Sequence, residues 1–353
     1  MKTEFITVEP TSVDKFESEL ALAASVIKKG GLVVFPTETV YGLGADATNP
    51  VAASKIFEAK GRPQDNPLII HVAVPIDAEK YAFTNSLYYR LAERFMPGPL
   101  TVILKSRESV PPATRGGLDT VAVRCPENTI ARRLIALSGT AIAAPSANLS
   151  GSPSPTTAQH VRDDMDGRVD VIIDGGACEF GLESTIVKIE DESRVTLLRP
   201  GRITPDELSE VCEVIIADAV TDKLKDGEAC LSPGMKYRHY APHSPLLLLD
   251  GEPEDAISYI LKEGVNDVAV IAYDEDRELF EEKIKDADVI TLGKRGDELS
   301  QAQHLFYLLR EADKKDYGTI YAPLPQKNGI GLALYNRLIR AAAHRIINLK
   351  DKR

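Results

Sequence analysis

The chain has 353 residues, 43% of them apolar and 27% charged, with no tryptophan and a net charge of −11. That length predicts two domains, each able to bury its own core, and no apolar run approaches the roughly 20 residues needed to span a bilayer. The first 200 residues hold 21 basic against 25 acidic side chains and the remainder 21 against 28, so neither half has the balance of a general nucleic-acid binder. Four scattered cysteines, Cys125, Cys178, Cys212 and Cys230, form no CxxC, which argues against a zinc site and a disulfide framework. With no apolar signal region after Met1-Lys2-Thr3-Glu4, the expected location is a reducing cytoplasm.

In chain order, Phe16, Leu20, Ala23 and Ile27 recur at helical spacing between Ser12 and Lys29, and Gly30-Gly31 supplies the stop. Leu32 to Phe35 reads as a buried strand ended by Pro36, followed by a hydroxyl-rich loop, Thr37 to Gly44, whose two glycines suit a sharp turn or a close approach to a ligand. Ala53 to Lys60 is expected to be a helix delivering Lys60 at its end, with Pro63 and Pro67 holding Arg62 and Asn66 in extended backbone. Strands are expected at Leu68–Val72, Leu100–Leu104, Thr120–Arg124, Ala141–Ala144, Val169–Asp174, Ser184–Ile189 and Val195–Leu198. Helices are expected at Leu87–Phe95, at Thr129–Leu137, from about Thr156 and at Thr204–Cys212. From Leu246 strands and helices alternate regularly: strands at Leu246, Val268, Val289 and Thr319, helices at Glu254, Glu278, Leu299 and Gly331. That pattern predicts a Rossmann-like unit.

Arg124 sits on a strand with period-two alternation, sharing a face with Thr120 and Ala122. A half-buried cation there needs an anionic partner, either an internal carboxylate or a bound one. Lys60 and Arg62 suit phosphate, one as a compact charge and the other as a planar fork. Ser146 and Asn148, two apart on extended chain, can face one ligand. Other motifs fail on context. Gly42-Leu43-Gly44-Ala45-Asp46-Ala47 matches the dinucleotide fingerprint but starts six residues past its strand, and there is no GxxxxGK[ST]. His239 and His243 flank Pro242 without a third ligand, and the aspartates from Asp163 to Asp170 lack calcium-loop spacing.

Taken together, PTETVYGLG (Pro36 to Gly44), KGRPxxNPL (from Lys60), SANxSG (from Ser146), ESTIV (from Glu183), LRPG (from Leu198) and SPGMKYRHYAP (from Ser232) resemble the long form of the YrdC-type threonylcarbamoyl-AMP synthases. The resemblance implies an α/β (α+β) architecture. A twisted mixed-sheet catalytic domain at 1–203 would be joined through a helix and linker at 204–245 to a smaller Rossmann-like domain at 246–353. It implies synthesis of threonylcarbamoyl-AMP and pyrophosphate from L-threonine, bicarbonate or CO2, and ATP with Mg²⁺, for modification of tRNA next to the anticodon. Possible hand-over to a tRNA threonylcarbamoyl transferase goes with that role. Lys60 and Arg62 would carry catalysis. Thr37, His71, Arg124, Ala144 and Ser184 would bind threonine; Lys60, Arg62, Asn66, Thr120, Ser146, Asn148, Ser154, Arg199 and the linker's Tyr237 would bind ATP, with no metal ligand from the protein. The alternative is a non-catalytic module that binds double-stranded RNA or tRNA by shape.

Overall fold

A computed structural model describes residues 2–8, 13–222 and 240–350. The described chain divides into two compact units, one holding residues up to 150 and 154–220, the other 151–153, 221–222 and 240–350.

The first unit is built on an open mixed sheet. Its strands are β1 (Glu4–Thr7), β2 (Val33–Phe35), β3 (Gly42–Asp46), β4 (Ile69–His71), β5 (Leu100–Lys105), β6 (Thr120–Arg124), β7 (Ile142–Ala143), β8 (Val171–Asp174), β9 (Thr185–Ile189), β10 (Arg194–Arg199) and β11 (Glu213–Ile216). In space they run β1-β8-β2-β3-β7-β4-β6-β5-β9-β10-β11. The helices are α1 (Val13–Lys28), α2 (Pro50–Lys60), α3 (Ser86–Phe95), α4 (Pro112–Arg115), α5 (Thr129–Ser138), α6 (Ala158–Met165) and α7 (Pro205–Ser209). The apolar stripe of α1, Phe16, Leu20, Ala23 and Ile27, packs with Ile130, Leu134 and Ile135 of α5 over Val33, Phe35, Ile142, Val171 and Ile173.

Local chemistry sets the elements that matter for the site. Asn49 caps α2, its side chain accepting from the amides of Val51 and Ala52, with Pro50 in the first turn. Gly61 then closes the helix in the left-handed region, φ +62°, so α2 ends with Lys60 in its last turn. The helix starts three residues earlier than the apolar spacing indicated, because the cap decides the boundary.

Two further expectations are corrected. The stretch Gly42 to Gly44 is strand β3, paired antiparallel with β2 in the register Val33↔Gly44 and Phe35↔Gly42. Its glycines are needed for packing: a Cβ on Gly44 would lie 2.7 Å from both the Phe35 ring and Ile142. The helix expected over Thr204–Cys212 is only α7, capped by Thr204 and Glu207 in a reciprocal pair, and the chain then enters β11 beside β10.

The second unit is a parallel sheet of β12 (Leu246–Asp250), β13 (Val268–Ala272), β14 (Asp288–Thr291), β15 (Thr319–Pro323) and β16 (Ile346–Asn348), in the order β14-β13-β15-β12-β16. It alternates with α8 (Pro253–Glu263), α9 (Arg277–Lys283), α10 (Glu298–Ala312) and α11 (Gly331–Ala341), as the sequence pattern indicated. No helix among the described residues is long and apolar enough to cross a membrane.

Gly44→Ala should destabilise the first unit by about 1–3 kcal/mol, the usual effect of forcing atoms into a packed interior. A lowered urea midpoint is the expected result; Gly117→Ala, where an added Cβ meets nothing within 4 Å, isolates the effect of left-handed backbone alone.

Candidate functional site

The sheet register assembles a polar row on one face of the first unit. His71 of β4 pairs with Arg124 of β6, and Arg124 pairs with Thr101 of β5. Thr101 Oγ1 lies 2.7 Å from Ser184 Oγ, and Arg199 of β10 reaches the same serine, Nε donating to its carbonyl at 3.1 Å and Nη2 to its hydroxyl at 3.2 Å. Five adjacent strands thus contribute one side chain each, or its immediate neighbour, to a continuous buried belt. Below it on the same face lie Ile69, Ile103, Ala122 and Ile186, an apolar floor. A strand period of two keeps the two rows on one side of the sheet.

The loop after β2 closes over this belt. Arg124 Nη2 donates to Glu38 Oε1 at 2.6 Å and to Thr39 Oγ1 at 3.0 Å, with both charged side chains 5% exposed or less. The other Glu38 oxygen accepts from the amides of Glu127 and Asn128, at the start of α5. Thr37 Oγ1 donates to the Val40 carbonyl, lies 2.9 Å from Thr39 Oγ1 and accepts from two amides within the loop. The partner demanded by a buried strand arginine is therefore Glu38, a residue the sequence reading did not single out. Its signal was present: one carboxylate between threonines, directly after a buried strand. Arg124 Nε makes no hydrogen bond among the described residues.

His71 is buried and its ring packs edge-on to Phe35, 6.1 Å between centroids. Burial, reinforced by the Arg124 charge, lowers its pKa to about 3. The ring is therefore neutral, and Nδ1, 3.3 Å from the Ile142 carbonyl, carries the proton, leaving Nε2 as an acceptor. Cys178, marked by no motif, sits against the Thr37 amide with its thiol pushed up to about 12 by burial. Tyr41 of the same loop donates to the Gly176 carbonyl, fastening the Thr37–Tyr41 segment to the 174–178 stretch.

The second group of expected residues gathers around the end of α2. Lys60 Nζ donates to the backbone carbonyls of Ser146 and Asn148, at 2.6 and 2.5 Å. Ser146 donates to Asn148 Oδ1 at 2.6 Å and its backbone bridges to Gly42. Arg62, buried, points Nη2 at the carbonyls of Asn66 and Pro67 and stands over the Phe57 ring. Ala144 joins the two groups, since its amide donates to the carbonyl of Ile69, two residues before His71. Ser154 donates to Glu183 Oε1, the neighbour of Ser184. Thr120 lies half-buried at the opposite end of β6 from Arg124, paired with Lys105. Tyr237 lies outside the described residues. No group of three or more His, Cys, Asp or Glu among the described residues is arranged to hold a metal ion.

The described chain thus joins an open mixed sheet that carries this belt to a parallel α/β unit. Two family models match it, one described as "Telomere recombination" over residues 25–201 and one as "Threonylcarbamoyl-AMP synthase, C-terminal domain" over 203–343. The threonylcarbamoyl-AMP synthase of Pyrococcus abyssi is 43% identical, covering 94% of this chain and 96% of its own length. That of Bacillus subtilis is 42% identical over 98% of this chain and all of its own length. The crystal structure of P. abyssi Sua5 complexed with L-threonine is similar with a TM-score of 0.86 at 42% identity, over 98% of this chain and 99% of that one. The chain belongs to the threonylcarbamoyl-AMP synthase family.

Two outcomes test the site as built. Glu38→Ala leaves a buried guanidinium without its counter-ion, so stability should fall by about 3–5 kcal/mol. A urea midpoint within error of wild type would remove the ion pair from the account. The His71 pKa, lowered in the folded chain from an ordinary 6.5, makes the unfolded state the better proton binder below that value. Its contribution is intact above pH 6.5 and is lost as pH falls toward 3, at up to about 1.4 kcal/mol per pH unit. Thermal melting between pH 7 and 5 should therefore drop less steeply in His71→Gln than in wild type.

Proposed function

We propose that the chain condenses L-threonine, bicarbonate or CO2, and ATP into threonylcarbamoyl-AMP and pyrophosphate, with threonine held at the Arg124 belt and the nucleotide toward Lys60 and Arg62. The observation that carries this reading is Arg124 itself. A buried arginine anchored through one nitrogen to Glu38, with an Nε–H that meets no acceptor in the described chain, is prepared for a second carboxylate. Neighbouring hydroxyls of Thr37, Thr39 and Ser184 and the acceptor Nε2 of His71 suit a small hydroxylated amino acid. The relatives' shared name and the Sua5 structure complexed with L-threonine support the same reading, and nothing in the site favours a non-catalytic RNA-binding module.

The unprotonated amine of threonine adds to CO2 and loses a proton to solvent, giving a carbamate. A carbamate oxygen then attacks the α-phosphorus of ATP, the bond to the β-phosphate oxygen breaks, and pyrophosphate leaves. Such a transfer needs positioning and cationic stabilisation more than covalent help. Arg62 and Lys60 are the cations at the phosphate end, with Arg199 next to Ser184. Ser146, Asn148, Asn66, Thr120 and Ser154 complete the nucleotide side. Mg²⁺ enters with the triphosphate as part of the substrate. Cytoplasmic residence and passage of the mixed anhydride to a tRNA-modifying transferase belong to the same proposal.

Pyrophosphate release should require threonine, bicarbonate and ATP together. Arg62→Ala should lower kcat/KM for ATP about 10- to 150-fold, the equivalent of one charge-assisted contact of 1.5–3 kcal/mol. Lys60→Ala should do the same and also loosen the Ser146–Asn148 segment, detectable as faster amide exchange there. Arg124→Lys keeps the charge that balances Glu38 but loses the planar fork, so KM for threonine should rise at least tenfold while KM for ATP changes less than threefold. Equal effects on both substrates would assign Arg124 a purely structural role.

A further inference from the structure

We propose that Thr39 is a positioning residue of the threonine site: its hydroxyl fixes the direction of the Arg124 guanidinium and of the Thr37 hydroxyl together. The role rests on the reading that threonine is held at the Arg124 belt, and it acts through those two side chains rather than on the reacting atoms.

The direction of the hydrogen bonds follows from counting protons. Thr37 Oγ1 lies 2.6 Å from the Val40 carbonyl oxygen. A carbonyl has no proton, so the proton between these oxygens is the single one that Thr37 owns. The 2.9 Å contact between the hydroxyls of Thr37 and Thr39 is then bridged by the proton of Thr39. Thr39 in turn accepts from Arg124 Nη2 at 3.0 Å. The result is a one-way chain from the Arg124 cation through Thr39 and Thr37 to a backbone carbonyl, in which each bond polarises the next. Thr39 is fully buried, and Thr37 and Arg124 are buried beside it, so little water competes for these bonds.

The turn of the loop does not need the Thr39 hydroxyl. Thr37 Oγ1 closes that turn by itself, accepting from the amides of Thr39 and Val40. Among the described residues the Thr39 hydroxyl bonds no backbone group; its partners are the guanidinium and Thr37. What it does is aim them. Arg124 Nη2 carries two protons, one given to Glu38 at 2.6 Å and the other to Thr39. Two donations from one nitrogen to two partners hold the guanidinium plane, and with it the Nε–H that meets no acceptor in the described chain. With Glu38 alone the plane could turn about a single bond, and a bound carboxylate would meet a fork of variable aim. The protons of both hydroxyls are spent within the chain of bonds, so toward a ligand each can only accept.

Two substitutions separate the hydroxyl from the methyl. Thr39→Val keeps the branched shape without the hydroxyl, and Thr39→Ser keeps the hydroxyl without the methyl. In pyrophosphate release by the full-length protein, Thr39→Val should raise KM for L-threonine at least about tenfold, the scale of one lost charge-assisted hydrogen bond. KM for ATP should change less than about threefold. Thr39→Ser should keep KM for L-threonine within about threefold of wild type, even where its melting temperature falls further than that of Thr39→Val. An unchanged KM for L-threonine in Thr39→Val overturns the proposal. So does a rise in Thr39→Ser equal to that in Thr39→Val, which would assign the effect to packing, and so do equal losses for threonine and ATP. If Thr39→Val does not fold, Thr39→Ala, which lacks the hydroxyl and adds no bulk, is read by the same criteria. A wild-type protein that releases pyrophosphate without threonine would overturn the reaction and this role with it. A threonine-dependent wild type matched by Thr39→Val would overturn the role of Thr39 alone.

Discussion

The buried pairing of Glu38 with Arg124 is the constraint that most of the first unit's site depends on. Neither charge could remain in that interior alone, because the desolvation of a single ion exceeds what the fold's marginal stability can absorb. Paired, they tie three distant parts of the chain together: the end of β6, the loop after β2, and the amides that open α5. The loop's own hydroxyls complete the arrangement, Thr39 on the guanidinium and Thr37 on Thr39. A mobile hydroxyl-rich loop would be a poor recognition surface. Anchored by an ion pair at 2.6 Å, it presents its threonines in one geometry.

The belt beneath that loop follows from register. A one-residue slip of β4 against β6 would turn His71 or Arg124 to the other face and replace it with an aliphatic neighbour. The apolar row of Ile69, Ala122, Ile103 and Ile186 resists such a slip, since those residues would lose their packing at the same moment. Stability and placement of the polar groups are therefore two consequences of a single alternation. The group around Lys60 is organised differently, by loops and a helix terminus, with Lys60 holding the Ser146–Asn148 backbone through two carbonyls.

Much of this was legible in the sequence. The apolar stripe of α1, the alternation of β6 and the regular strand–helix pattern after Leu246 all report local preferences that tertiary packing reinforces. The two domains' fold class could be read from them. What could not be read was pairing across sequence. Gly42 and Gly44 have the composition of a turn, and only the Phe35 ring lying against them from β2 shows why a strand there requires glycine. Strand β11 carries Ile215 and Ile216 exposed at an edge, so it lacks the alternation that marks a half-buried strand. The need of Arg124 for an anion was clear from its position on β6. Its source was not, because Glu38 lies 86 residues earlier in a loop whose closure depends on the complete sheet.

The protonation states at the belt bear on how the proposed reaction proceeds. Burial lowers the His71 pKa to about 3 and pushes the Cys178 thiol up to about 12, so both side chains are uncharged at neutral pH. Carbamate formation nevertheless needs an unprotonated amine. The field that disfavours a charged His71, burial reinforced by the adjacent Arg124 cation, acts in the same direction on an ammonium group brought beside them. Threonine's carboxylate would neutralise part of that field, yet desolvation remains, and the His71 Nε2 lone pair accepts a hydrogen bond from either the amine or the hydroxyl. A site that shifts its substrate's own proton equilibrium lowers the demand for a base to deprotonate the ammonium, while the proton released as the carbamate forms still passes to solvent.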